Sequence, residues 1–308
     1  MGIVSYLYIK NFVGRFDKEI GVPYYVATDF PDLKEEKNSF VNSNKNKISY
    51  FYYYFDGYKE DKIVLLCPGI GCGHCSYMKE IVTLAQKGYK VLTLDYQGCG
   101  ESKGKVMGSL AQPSKDVNEL LDYLKLDKEV VLVGHSLGAY TSLNVIHMRN
   151  EITKAVIISG FLSIPLLADK LLDSKFITKG ILKYEKKVNP VCYNLDNIAY
   201  LKTTSDKLLF IHSLDDQVVS FENSTKIVEQ LNNPNIKIIK VNNKKHNPNY
   251  SDAAIAYMNE VFGTFNTLVK EKKIKTAEDR INYFKDVAID KLTEQDPVIF
   301  KEIYSFID

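Results

Sequence analysis

The feature that most restricts the fold of this chain is a succession of short, unbroken apolar runs at 63–67, 91–94, 130–133, 155–159, 208–211 and 236–241. Runs of this length without polar alternation are what strands buried on both faces require. Segments with 3.6-residue apolar spacing lie between many of them, at 78–86, 115–124, 137–148 and 222–231. Strand alternating with helix predicts an α/β fold, a mostly parallel sheet with helices on both faces. Two more strands are expected near 39–42 and 48–55, the second ending in the turn Asp56-Gly57.

Two stretches exceed what the alternation needs. Between Gly160 and Lys207, apolar residues recur at helical spacing (Phe161, Ile164, Leu167, Leu171, Leu172, Phe176, Ile177, Ile181, Leu182). This is too long for a simple connection and predicts a short helical cap at about 161–206. Beyond the sheet, Thr276 with Asp279 forms a capping-box pattern, and Asp296-Pro297 offers an N-cap followed by Pro at the first helical position. The expected organisation is an N-terminal extension at 1–38, a sheet domain at 39–265 carrying the cap, and a C-terminal helical extension at 266–308.

Composition narrows the function. A net charge of +2 with 25% charged residues gives no electrostatic footprint for nucleic acid. No apolar run approaches the roughly 18 to 20 residues of a membrane span, and MGIVSYLYIK has neither a basic n-region nor a cleavage site, so a cytoplasmic location is expected. Tyr6 stands where a myristoylation motif needs Ser or Thr. Five cysteines are an odd set in a long chain and do not form a secreted disulfide framework.

The chemistry concentrates in Val130-Val131-Leu132-Val133-Gly134-His135-Ser136-Leu137-Gly138-Ala139, a buried strand entering Gly-x-Ser-x-Gly and then a helix. A side chain at the tip of so tight a turn leaves no room for Cβ atoms two residues before and after it, and the helix behind adds a positive dipole end. Ser136 is therefore the candidate nucleophile. A serine hydroxyl needs a base and an orienting acid from elsewhere in the chain, and in scaffolds built around such a strand-to-helix elbow these follow in the order Ser, acid, His. The strand at 208–211 ends in a loop with Asp215 and Asp216, and after the next strand comes His246, the only histidine beyond those acids. His135 is expected to point away from the serine, His147 to be a partly exposed helix residue, and His212 to pack or fix a loop.

Together these segments resemble the α/β-hydrolase superfamily, specifically esterase and monoacylglycerol-lipase-like serine hydrolases, over roughly residues 40 to 265. Gly134-His135-Ser136-Leu137-Gly138 looks like the nucleophile elbow, and Pro68-Gly69-Ile70-Gly71 resembles the oxyanion loop. Asp95-Tyr96-Gln97-Gly98-Cys99-Gly100-Glu101-Ser102 resembles a further loop of the family. The resemblance implies a triad of Ser136, Asp216 and His246, with Asp215 as the competing acid, and an oxyanion hole from the backbone N–H groups of Ile70 and Leu137. It implies no cofactor and no metal. Gln97, Ser213 and Cys67 stand where relatives often carry Arg, Gly and His, departures that bear on substrate class. The expected activity is hydrolysis of small-molecule carboxylic esters of small to medium acyl chain, with peptidase or thioesterase chemistry as alternatives on the same residues.

One motif competes. Cys72-Gly73-His74-Cys75 has the spacing of thiol–disulfide oxidoreductases. No aromatic precedes Cys72 and the motif falls inside the oxyanion loop, so thiol–disulfide oxidoreduction is the secondary reading. A metal site from Cys72, His74, Cys75 and Cys99 lacks a second matched ligand pair. Otherwise Cys67, Cys72, Cys75 and Cys99 are expected as loop cysteines near the active-site mouth, open to oxidants.

Overall fold

A computed structural model describes residues 3–171 and 174–308. Helix α1 (Ile3–Phe12) precedes β1 (Lys34–Val41) and β2 (Lys47–Tyr54). Strand and helix then alternate through β3 (Lys62–Cys67), α2 (Met78–Gln86), β4 (Lys90–Leu94), α3 (Gln112–Leu124), β5 (Glu129–His135), α4 (Leu137–Met148) and β6 (Lys154–Ile158). The helices α5 (Ile164–Leu171), α6 (Lys175–Val188), α7 (Pro190–Tyr193) and α8 (Asn197–Thr203) intervene before β7 (Lys207–Ser213), α9 (Thr225–Gln230) and β8 (Ile236–Val241). The remaining helices are α10 (Asp252–Lys270), α11 (Ala277–Phe284), α12 (Ile289–Leu292) and α13 (Pro297–Ile307).

The strands form one sheet in the order β1-β2-β4-β3-β5-β6-β7-β8. It is parallel from β4 onward and antiparallel where β2 meets β1 and β4. Successive strand residues point to opposite faces, which divides the core in two. Ile63, Leu65, Leu132, Ile157 and Phe210 pack with α3 and α4, whereas Val64, Leu66, Val131, Val133 and Leu209 pack with α2 and α13. Both faces are covered, as continuous apolar runs require. The C-terminal ends of β5 to β8 lie side by side, with Ser213 of β7 in register with Val241 of β8.

The observed boundaries differ from expectation where the apolar signal is weak. β1 starts at Lys34, not near residue 39, and its Lys-Glu-Glu-Lys beginning pairs along the far half of β2. It is an edge strand, where charged side chains are ordinary and deter pairing with other chains. Helix α3 begins at Gln112 with Pro113 in its first turn, and α9 covers only Thr225–Gln230. Helix α1 carries no periodic signal in the sequence, because Ile3, Tyr6, Leu7 and Phe12 are exposed and leave no polar face to set a period. It packs against α6, where Val4 lies over Gly180.

The region at 161–206 holds α5 to α8, and its apolar residues mostly face inward. Phe161, Leu162, Ile164 and Ile181 belong to the main core cluster, while Phe176 is exposed; Leu172 lies outside the described residues. Buried Glu185 ties this region down by accepting hydrogen bonds from Tyr8 Oη (2.5 Å), Ser109 Oγ (2.7 Å) and the Leu110 N–H (2.8 Å). In the segment 266–308, Thr276 and Asp279 close the capping box and Asp296 caps α13. That last helix buries Ile299, Phe300, Ile303 and Ile307 against the sheet, and Lys62 Nζ donates to the Ile307 carbonyl at 2.7 Å.

Helix α13 is thus part of the core. Phe300→Ala should cost about 3–5 kcal/mol in unfolding free energy, the range for removing a large buried aromatic. Urea denaturation checks this, and a loss below about 1 kcal/mol would mean that α13 is only loosely docked.

Candidate active site

Strand β5 ends at His135 and α4 begins at Leu137, so Ser136 alone makes the reversal, with φ 56° and ψ −118°. A non-glycine residue held there is strained by about 1–3 kcal/mol, tolerated only when the surroundings over-determine it. The surroundings do. A Cβ on Gly134 would lie 2.2 Å from the Gly138 oxygen, and one on Gly138 would lie 1.9 Å from the Cys67 oxygen. Both glycines are sterically required, and the turn projects the serine side chain beyond the sheet edge.

From that tip, Ser136 Oγ lies 2.8 Å from His246 Nε2, and His246 Nδ1 lies 2.8 Å from Asp216 Oδ2. The elbow, the loop after β7 and the loop after β8 therefore bring the three side chains into one row. Asp216 Oδ1 accepts from the N–H groups of Val218 (2.8 Å) and Val219 (3.0 Å). Burial alone would raise its pKa, but hydrogen bonds from His212 and His246, with that of Val219, outweigh it and hold the carboxyl well below its ordinary value. Asp215 is exposed and turned elsewhere, accepting from Ser213 Oγ (2.5 Å) and the Lys245 N–H (3.3 Å).

The expected oxyanion loop also lies at the serine. A Cβ built on Gly69 would stand 3.4 Å from Ser136 Cβ, and Tyr96 Oη pins the loop by donating to the Pro68 carbonyl at 2.9 Å. Ile70 follows in this loop. Leu137 opens α4, where a first-turn N–H has no intrahelical acceptor and sits at the positive end of the dipole.

Two histidines do more than expected. His135 does not hydrogen-bond Ser136, but its ring centroid is 4.9 Å from that of His246 and its Nε2 lies 2.8 Å from the His246 carbonyl oxygen. That oxygen only accepts, so Nε2 carries the proton and Nδ1 accepts from Tyr77 Oη at 2.8 Å. Burial, together with the neighbouring His246, lowers the His135 pKa to about 3. His212 Nε2 faces both the Val219 oxygen (2.8 Å) and Asp216 Oδ2 (3.3 Å), while Nδ1 accepts from Thr225 Oγ1 (2.7 Å). It fixes the acid loop and also touches the acid. Tyr77 gave no sequence signal at all; His212 had one, its place four residues before Asp216. His147 is partly buried, stacked on Tyr200 and 3.0 Å from Asn197 Oδ1.

The cysteines correct an expectation. All five are buried thiols and Cys67 lies within β3 rather than in a loop, while Cys72 and Cys75 border a cavity whose walls include none of Ser136, Asp216 and His246. Among the described residues, no group of three or more His, Cys, Asp and Glu side chains is placed to hold a metal ion.

With this geometry, similarity to known proteins becomes informative. The profile of the family described as serine aminopeptidase, S33, matches residues 58–191. An esterase from Pyrococcus furiosus superposes with a TM-score of 0.58 at 17% identity, covering 85% of this chain and 96% of that one. The chain has the α/β-hydrolase fold. Est1E from Butyrivibrio proteoclasticus, solved with ferulic acid, gives a TM-score of 0.56 at 22% identity over 74% of this chain and 97% of that one. A putative α/β hydrolase of Acanthamoeba polyphaga mimivirus is 24% identical over 66% of this chain and 74% of its own length. Putative methylesterase 11, chloroplastic, of Arabidopsis thaliana is 33% identical over 34% of this chain, and the match spans 27% of that relative. No helix among the described residues is long and apolar enough to cross a membrane.

The His135 pKa, about 3 against an ordinary 6.5, has a consequence for stability. The unfolded chain binds this proton at higher pH than the folded one. The contribution is therefore complete above about pH 6.5 and is lost as pH falls towards 3. In His135→Gln that proton uptake is absent, so the stability advantage of wild type over variant should shrink on acidification, by at most about 1.4 kcal/mol per pH unit. Urea unfolding at several pH values checks this, and parallel curves between pH 6.5 and 4 would contradict it.

Proposed function

We propose that this α/β hydrolase cleaves small-molecule carboxylic esters through Ser136, His246 and Asp216. The observation that carries the reading is the row of hydrogen bonds from Ser136 Oγ through both His246 nitrogens to Asp216, each 2.8 Å long, mounted on the strained elbow. His246 Nε2 takes the hydroxyl proton as Oγ attacks the ester carbonyl, and Asp216 stabilises the imidazolium through Nδ1–H. The N–H groups of Ile70 and Leu137 hold the tetrahedral oxyanion. The intermediate collapses when His246 returns the proton to the leaving alcohol. Water, deprotonated by His246, then attacks the acyl-enzyme and releases the acid. Every step uses side chains and backbone of this chain.

His135 and His212 act as positioning residues in this scheme, one holding the His246 backbone and the other the Asp216 carboxylate. The cap bears on substrate size. Phe161, Ile164 and Ile181 are buried in packing rather than free to clasp a long chain, which favours the short end of the small-to-medium acyl range. The esterase descriptions of several relatives agree with an ester substrate. The aminopeptidase description of the matched family keeps peptides as the second reading.

Ser136 should react with a fluorophosphonate probe, and Ser136→Ala should lose about 10⁴-fold or more of ester turnover. A wild type that neither labels nor turns over any p-nitrophenyl ester would sink the hydrolase reading. Cleavage of aminoacyl p-nitroanilides in preference to esters would move it to a peptidase.

The two acids should separate just as clearly. Asp216→Asn is expected to reduce turnover by about 10⁴-fold by misorienting His246, and Asp215→Asn by less than about tenfold. Turnover of the two variants on p-nitrophenyl acetate provides the comparison, and the reverse ranking would make Asp215 the orienting acid.

A further inference from the structure

The Cys72-Gly73-His74-Cys75 loop has no role in the proposed hydrolysis, yet it lines a cavity of about 380 Å³ whose walls include none of Ser136, Asp216 and His246. Cys72 and Cys75 both face this cavity, with His74, Asp95 and Tyr53 beside them. Their Sγ atoms lie 3.0 Å apart, within about 1 Å of bonding distance. Ser76 Oγ lies 3.0 Å from Cys72 Sγ on another side.

The loop that carries the pair is held from below. Asp95 Oδ1 accepts from the His74 N–H at 2.8 Å and lies 2.8 Å from His74 Nδ1, while its Oδ2 accepts from the Glu101 N–H at 2.8 Å. The His74 ring packs on Phe51 with centroids 3.9 Å apart. Gly73 has φ 88°, and a Cβ there would lie 1.9 Å from Asp95 Oδ1, so only glycine fits between the cysteines at that position.

The two thiols differ from the rest of the cysteines. The hydrogen bond from Cys75 outweighs burial and, with Ser76 and Tyr24, lowers the Cys72 pKa well below its ordinary value, while the same contact raises that of Cys75. Burial pushes Cys67 up to about 12 and Cys192 up to about 11, and it raises Cys99 as well. One thiol is thus poised as a nucleophile with a partner beside it, and the other three are suppressed.

We propose that Cys72 and Cys75 form a reversible dithiol–disulfide site, oxidised by a small peroxide or a low-molecular-weight disulfide that enters this cavity. With a peroxide, the Cys72 thiolate attacks one oxygen, the O–O bond breaks, and a sulfenic acid and an alkoxide or hydroxide result. Cys75 sulfur then attacks Cys72 sulfur, the S–S bond forms, and the sulfenic oxygen leaves as water with the Cys75 proton. Two thiols are oxidised and one peroxide is reduced. With a disulfide oxidant, two successive exchanges release two small thiols. Cys72 is two residues beyond Ile70, so closing the bond pulls on the oxyanion loop and slows ester hydrolysis, a consequence that rests on the hydrolase reading.

The test is to expose the intact protein to hydrogen peroxide or glutathione disulfide, quench it, and count thiols under denaturing conditions. The five free thiols should fall by two, the peptide spanning 63–79 should lose two hydrogens with Cys72 linked to Cys75, and dithiothreitol should restore both. The Cys72→Ser, Cys75→Ser double variant should keep its remaining thiols, and Cys99→Ser should behave as wild type. An unchanged count, or loss spread over Cys67, Cys99 and Cys192, overturns the site. Oxidation should also lower ester turnover about tenfold in wild type and not in the double variant, as partial displacement of one oxyanion donor would. A disulfide that leaves turnover unchanged overturns the link to Ile70. Thiol counting needs no ester cleavage, so an inactive hydrolase would not be mistaken for a failed redox site.

Discussion

Gly138 packs so close to the Cys67 carbonyl that a Cβ would lie 1.9 Å from its oxygen, and most of the candidate site depends on that approach. It lets the first turn of α4 lie directly on the end of β3 and forces the chain between β5 and α4 to reverse within one residue. The strain at Ser136, about 1–3 kcal/mol, has to be held by packing elsewhere. Helix α4 supplies that packing, since every residue from Leu137 to Ile146 is buried. A helix covered all round cannot relax outward to relieve the turn. The same close approach brings the Pro68-Gly69-Ile70 loop to the serine.

Asp215 and Asp216 are neighbours in sequence with opposite fates. Asp216 turns inward to two backbone N–H groups and two histidines; Asp215 stays in the wet rim with Ser213 and Lys245. Ordering the acid is thus largely a matter of its own loop, which His212 ties to Thr225 at the start of α9. Ordering His246 is shared with the elbow, because His135 grips its carbonyl from a ring that Tyr77 holds in turn. The residue between Gly134 and Ser136 therefore connects the Ser136 turn to the His246 loop.

What could be read from the sequence was whatever leaves a local mark. Strands buried on both faces must be continuously apolar, so β3 to β8 were legible within one or two residues at most ends. The elbow was legible because its glycines are demanded by contacts within one turn. The charged first half of edge strand β1 and helix α1 were not, since neither carries a full apolar face of its own. The pairing of His135 with the His246 carbonyl joins residues 111 apart and leaves no trace in either segment. The burial of Cys72 and Cys75 was equally hidden, because the residues gathered around them, Lys18, Tyr25 and Asp95 among them, are distant in sequence.

The sheet register turns the arrangement into a molecular vernier. β7 and β8 leave the sheet from matched rungs, Ser213 opposite Val241, and the loops that carry Asp216 and His246 set out from there. A slip of one residue would displace one loop against the other by about 3.3 Å and invert every side chain of the strand. That is larger than the whole tolerance of a hydrogen bond. Alignment between Asp216 and His246 is consequently an all-or-nothing readout of strand registry. A mis-set edge would therefore be felt twice, in the packing of Ile236, Ile238, Ile239 and Val241 and in the separation of the Asp216 and His246 loops.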